Sequence, residues 1–335
     1  MSIRFAAIGL SHNHIFNQTD YLLAAGATLV SFYGDEPEQI TEFVRRYPQA
    51  QQAESIASIL EDESLQLVVS ASIPSERPPL GIQVMQHGKD FCCTKPGFAT
   101  LEQLAEVRRV QQDTKKMYAV YFGERYGNKS TVKAGEMVHA GMIGQVIQTV
   151  GSGPHRLGRW GRPSWTFDKQ YYGGIINDLA SHQIEQFLFF TGSTQAQIVS
   201  SQVANFKHTQ YPAFEDFGDL TVRSPHATGY TRVDWLTPEG LGTWGDVRLF
   251  IYGTEGTIEL RKNCDIAGHP GENHLFFVDH KGIQYIDCAD VPLPFMSQLI
   301  QDVLNRTEIA MSQERCFLAC ELALQSQAMT VSITG

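Results

Sequence analysis

The chain has 335 residues, 42% of them apolar, and a formal net charge of −10. At roughly 100–200 residues per domain this is two domains with sizeable cores, outside the composition of a disordered chain. The acidic balance argues against nucleic acid and anionic membranes as partners, which need basic surface, and no stretch approaches the roughly 20 apolar residues that span a bilayer.

The first third alternates apolar runs with amphipathic stretches. Runs at 3–9, 28–33, 65–72, 90–93 and 117–121 suit strands buried on both faces of a parallel sheet. Helix-like patterns reach to about residue 25 and cover 79–87 and 100–114. Strand, helix and strand repeating at this spacing predict a doubly wound α/β sheet. The N-terminus shows no signal-peptide layout. Six sparse cysteines form no repeated C-x-x-C pattern, and they read as reduced thiols of a cytoplasmic protein, with Cys92, Cys93, Cys316 and Cys320 in core packing.

After about Phe122 the pattern changes. A helix over 129–140 leads into longer, more alternating runs at 145–151, 196–205, 219–224, 229–235, 247–252, 257–261, 274–278 and 283–286, joined by Gly, Asn and Pro turns. These predict a mostly antiparallel sheet. Helices are expected at 178–190, 295–305 and 313–329. The domains are therefore expected at 1–122 and 123–335. The alternating Tyr230, Arg232 and Asp234 read as an interfacial or solvated strand face.

The run Ala6-Ala7-Ile8-Gly9-Leu10-Ser11-His12-Asn13-His14 sits where the first strand turns into the first helix, the place where a pyrophosphate meets helix N-terminal N–H groups. Of the G-x-G-x-x-G fingerprint only Gly9 survives, with Ser11 and His14 in the other two places. A plain strand-to-helix turn is the alternative. About 25 residues on, Asp35 or Glu36 ends the second strand and could accept hydrogen bonds from a ribose. Two acids with no nearby arginine favour NAD over NADP.

Two further segments bear chemistry. In Asp90-Phe91-Cys92-Cys93-Thr94-Lys95-Pro96 a strand ends in Lys-Pro, and the proline biases Lys95 toward an extended backbone at the edge where ligands bind. A solvated surface lysine is the alternative. In Gly173-Gly174-Ile175-Ile176-Asn177-Asp178-Leu179-Ala180-Ser181-His182 the spacing puts Asp178 and His182 one helical turn apart on one face, an arrangement suited to acid–base work near neutral pH. An Asp N-cap with an ordinary histidine is the alternative. The polar loop 153–162, with His155 and Arg156, is a candidate substrate lining or a solvated loop.

Taken together these segments resemble the Gfo/Idh/MocA family of oxidoreductases, over nearly the whole chain. The resemblance rests on the N-terminal strand-turn, Ile73-Pro74, Thr94-Lys95-Pro96, Trp165, the double-glycine block with Asp178 and His182, and Gly253-Thr254-Glu255-Gly256-Thr257-Ile258. It implies a Rossmann domain followed by an α/β domain whose open sheet often mediates homodimer or homotetramer contacts. It also implies hydride transfer between NAD or NADP and a small hydroxylated substrate such as a sugar or inositol. The family's roles fall on an acid–base pair, Lys95 and His182, with Asp178 binding substrate. They place Gly9, Ser11, His12, Asn13, His14, Asp35, Ile73, Pro74, Thr94, Lys95 and Trp165 on the cofactor side. The chain departs from the family at Thr94, Pro78, Thr166, Glu185 and above all the glycine turn. A dinucleotide-binding sensor without turnover, or a metal-dependent hydrolase or isomerase using Asp178, His182, His155 and one of His12 and His14, are the rival expectations.

Overall fold

A computed structural model describes residues 2–158 and 162–333. Arg159, Trp160 and Gly161 of the loop 153–162 lie outside the described residues.

The apolar runs of the first third become β1 (Arg4–Ile8), β2 (Thr28–Tyr33), β3 (Gln51–Gln52), β4 (Leu67–Ser70), β5 (Asp90–Thr94) and β6 (Tyr118–Tyr121). They form one sheet in the order β3-β2-β1-β4-β5-β6, every pair parallel. Continuous burial of β4, β5 and β6 explains their unbroken apolar character, since helices cover both faces of such a sheet. The order reverses between β1 and β4, and a doubly wound sheet binds ligands at that switch point, outside its C-terminal strand ends. The helix Leu101–Thr114 starts where the Thr100 side chain accepts from the Gln103 amide. Short elements that lacked a strong apolar period, β3 and the helix Ile56–Glu61, escape the sequence pattern.

The later runs become β7 (Val146–Pro154), β8 (Gln197–Ala204), β9 (Phe217–Arg223), β10 (Thr228–Asp234), β11 (Arg248–Gly253), β12 (Gly256–Arg261), β13 (His274–Asp279), β14 (Gly282–Asp287) and β15 (Val331–Ser332). Their order is β14-β13-β12-β11-β7-β10-β9-β8-β15, antiparallel except where β7 meets β10 and β8 meets β15. The helices Lys129–His139 and Ser181–Thr191 pack on this sheet, over a core that includes Ile143, Leu249, Ile251, Ile258, Leu260 and Phe277. On β10 Tyr230 is exposed, but Asp234 is 1% exposed, which corrects the expectation of a solvated face there. Asp234 pairs with Arg232 and accepts the Leu236 amide, and those two partners stabilise its burial.

The chain divides into two compact units, one of residues up to Tyr121 with Pro294–Phe317, the other of Phe122–Leu293 with the residues from Leu318. The expected second segment, 123–335, thus gives up Pro294–Phe317. The reason lies in side chains that the periodicity does not reveal. Arg306 pairs with the buried carboxylate of Asp90, both oxygens at 2.8 Å. The Gln313 amide accepts from Tyr118 N at 3.0 Å and donates to Tyr118 O at 2.9 Å, closing the free edge of β6 as a neighbouring strand would. Among the described residues no helix is long and apolar enough to cross a membrane.

Candidate active site

In the first unit the turn after β1 is built on Gly9, whose φ of +78° favours glycine and whose would-be Cβ would lie 2.5 Å from the Ser72 Cβ. Its N–H donates to Tyr33 O and its carbonyl accepts from Ala71 N, so the turn is tied to the ends of both neighbouring strands. The helix His14–Ala24 begins without a side-chain cap from Asn13. His12 Nδ1 instead accepts the His14 N–H at 3.1 Å, and the two rings stand 4.1 Å apart. Asn13 Oδ1 accepts from Gln39. Ser11, His12 and His14 are half-buried and Asn13 is exposed. A glycine turn, a helix N-terminus and an acid at the end of the next strand fit a dinucleotide. His12 is the departure, because its ring takes a helix N–H that a phosphate oxygen would use.

Asp35 is exposed just beyond β2 and accepts a hydrogen bond from the Tyr33 hydroxyl at 3.0 Å, which raises the Tyr33 phenol above its ordinary range. Glu76, not singled out in the sequence, joins Asp35 and Glu36: burial, then the charges of Glu36 and Asp35, push its carboxyl up. Pro74 is buried and Ile73 half-buried at the turn after β4. Lys95 is 8% exposed at the end of β5, a position opposite to the surface lysine held open above. Thr94, expected among the cofactor contacts, is wholly buried at the end of β5.

In the second unit the double glycine makes a bend. Gly173 ends the helix Lys169–Tyr172 in the left-handed region, and Gly174 (φ +91°) leaves no room for a Cβ, which would meet the Gln327 amide at 2.2 Å. Gln327 Oε1 accepts the Ile176 N–H at 2.9 Å, and Glu215 accepts the Ile175 N–H at 3.0 Å while pairing with Lys169. The segment that follows, Ile176–Ala180, is a π-helical turn, and the regular helix Ser181–Thr191 starts only after it. Asp178 lies inside the wide turn and is not an N-cap, and His182 follows four residues on, in the first turn of the regular helix. Wide turns hold an extra residue, and they concentrate at functional sites.

Asp178 is half-buried and His182 is 5% exposed, its ring edge-on to Phe122 at 6.1 Å. Two groups act on or feel the charge of Asp178: Tyr172, which no sequence motif marks, and Arg162, the last residue of the candidate loop 153–162. Burial pushes the Tyr172 phenol far up, with Glu215 and Asp178 adding to the effect. Burial also lowers the Arg162 guanidinium against the opposing charge of Asp178. Arg162 donates to Leu157 O and Arg156 O and lies 4.8 Å from the Trp235 ring. His155 packs against Trp235 and Trp244, at 5.4 and 4.6 Å. Arg156 places its guanidinium on Pro238 O at 2.9 Å and near Glu239, holding a loop. Trp165 is half-buried in the short helix Ser164–Phe167. Glu185 is buried in a pair with Arg125 at 3.0 Å. Among the described residues no group of three or more His, Cys, Asp or Glu could hold a metal ion.

A parallel 3-2-1-4-5-6 sheet with a glycine turn at its first strand–helix junction, followed by a large mixed sheet, is the architecture of a two-domain oxidoreductase of the NAD(P)-binding Rossmann class. Residues 3–122 match the oxidoreductase family with an NAD-binding Rossmann fold, and residues 131–259 match the Gfo/Idh/MocA C-terminal domain. The chain belongs to the Gfo/Idh/MocA family. A crystal structure from Erwinia carotovora atroseptica, provisionally described as an oxidoreductase, is 44% identical over 99% of this chain and 100% of that one, with a TM-score of 0.96. An uncharacterized oxidoreductase of Schizosaccharomyces pombe is 26% identical over 63% of this chain. The D-xylose dehydrogenase of Paenarthrobacter nicotinovorans is 25% identical over 44% of it. The matches span 57% and 39% of those two proteins' own lengths.

Proposed function

We propose that the protein is an NAD-dependent dehydrogenase acting on a secondary alcohol, or the matching carbonyl, of a small sugar- or polyol-like substrate. One observation carries it: the chain keeps Lys95 buried at the C-terminal end of β5 and His182 buried just beyond the double-glycine turn. The likeness to a D-xylose dehydrogenase supports a sugar-like substrate. Gly9, Ser11, His12, Asn13 and His14 would hold the pyrophosphate, Asp35 the ribose hydroxyls, and Ile73, Pro74 and Trp165 would border the rest of the cofactor. A nicotinamide held there would supply the hydride acceptor or donor. His182 takes the hydroxyl proton, Lys95 stabilises the developing alkoxide, and Asp178 binds the substrate hydroxyls beside Arg162 and His155. Three acids, Asp35, Glu36 and Glu76, oppose a 2′-phosphate and favour NAD.

The six free cysteines fit a reducing cytoplasm. Homo-oligomerisation through the second sheet is supported by a row of Tyr230, Val150 and Phe250, register partners across β10, β7 and β11 that are exposed or half-buried.

The test is a thermal-shift screen of NAD, NADH, NADP and NADPH, followed by a polyol and aldose panel with the stabilising cofactor. A ligand at 100 times its Kd stabilises by about 2.7 kcal/mol, an easily read shift. NADH should stabilise more than NADPH, and at least one polyol should reduce NAD. Stabilisation without turnover on any substrate would favour the sensor reading, for which His12 on the His14 amide speaks. No shift with any dinucleotide would end the proposal.

A further inference from the structure

Arg77 opens the helix Arg77–Gln86 and is 1% exposed although it is charged. A buried guanidinium is tolerable only where its N–H groups find acceptors. Its Nε donates to Ser72 O at 2.8 Å, and its Nη1 donates to Thr94 O at 3.0 Å and Pro96 O at 2.7 Å. Thr94 and Pro96 are the residues on either side of Lys95. Ser72 belongs to the turn after β4, and its Cβ is the group that leaves Gly9 no room for a side chain. One side chain therefore joins the lysine turn to the segment that packs on the glycine turn, all within the first unit.

We propose that Arg77 is the positioning residue for Lys95: by holding the carbonyls that flank the lysine on one nitrogen, it fixes the direction in which the ammonium leaves the backbone. The function assigned to that ammonium rests on the dehydrogenase reading, but its placement does not require turnover to be observed. Lysine cannot replace Arg77, because an ammonium is a point charge where the guanidinium is a planar fork reaching acceptors on two sides. A carbonyl left without its donor in the interior bears its full desolvation penalty, enough to let the turn rearrange.

The experiment is trace acetylation of the purified protein with acetic anhydride, read lysine by lysine by peptide mass spectrometry, for the parent, Arg77→Lys and Arg77→Met. Lys89, 4% exposed in the same unit, and Lys262, 2% exposed, report general loosening. Lys95 acetylation should rise several-fold in both variants while Lys89 and Lys262 keep their parental levels. With a substrate from the panel in hand, kcat should fall about 10²-fold, the usual cost of roughly 1 Å of misplacement, with NADH affinity by fluorescence titration nearly unchanged. Parental Lys95 labelling in a folded variant overturns the proposal. So does a rise of Lys89 in step with Lys95, which marks a merely structural role. If Arg77→Met fails to fold, Arg77→Lys carries the same comparison. Selective unmasking of Lys95 in a protein whose parent shows no turnover supports the positioning and overturns only the dehydrogenase reading.

Discussion

At the scale of single residues the second unit sets charge against burial in two ways. His182 is almost wholly enclosed, which suits a group that must exchange a proton with a substrate and not with bulk water. His182→Ala should lower kcat by about 10²–10⁴-fold, the usual contribution of one acid–base group. Lys95→Ala should lower kcat more than NADH affinity, because in the proposed mechanism its charge would act where oxyanion character develops. Steady-state kinetics beside an NADH titration checks both, and full turnover in His182→Ala would remove it from catalysis. The pair Arg125–Glu185 is a structural matter. Both are buried, the guanidinium carbon lies 3.9 Å from the Phe189 ring, and the Arg125 Nε–H is shared between the two carboxylate oxygens at 3.0 and 3.1 Å. Arg125→Met strands the carboxylate and should cost about 3–5 kcal/mol in urea unfolding, and adding Glu185→Leu should recover much of the loss. Equal losses in the single and double variants would mean the ion pair is not the stabilising element.

At the scale of elements, turns and loops are where side chains take over from periodicity. The loop between β12 and β13 closes on Asp265, which accepts the Ala267 amide at 2.9 Å and pairs with His269 and Arg261. These partners, the Ala267 amide foremost, hold its carboxyl below the usual range. A depressed folded-state pKa stabilises the fold above the unfolded value and loses that contribution as pH falls. Asp265→Asn should therefore melt lower than the parent at neutral pH, and the difference should shrink as pH drops below about 4, where the unfolded carboxylate protonates. A melting difference constant with pH would assign the effect to shape rather than charge. The double-glycine bend obeys the same logic. Its two glycines are legible in the sequence, whereas the clamp that gives them their task, Gln327 and Glu215, comes from 151 and 40 residues away.

At the scale of the molecule the second sheet has helices on one face and, on the other, the row of Tyr230, Val150 and Phe250. The face is mixed, with Arg232 and Asp219 paired in register beside the apolar row, and on the reading proposed above a second copy of the chain covers it. Sedimentation velocity should show a species heavier than one chain, and Phe250→Glu should shift it toward the monomer. A monomer at every concentration would refute assembly through this face. The chain crosses from the first unit to the second at residue 122, back at Pro294 and out again at Leu318. Only the first is visible as a change in periodicity.

The fold class, most of the strands and helices, and the three segments around Gly9, Lys95 and the double glycine were written in the chain itself, because burial on two faces, burial on one face and tight turns each demand a local residue pattern. The return of Pro294–Phe317 to the first unit, the wide turn under Asp178, the enclosure of Thr94 and the grip of Arg77 on three carbonyls were decided by tertiary structure alone. Each depends on which distant backbone group a side chain reaches, and no period in a sequence records the partner of a buried hydrogen bond.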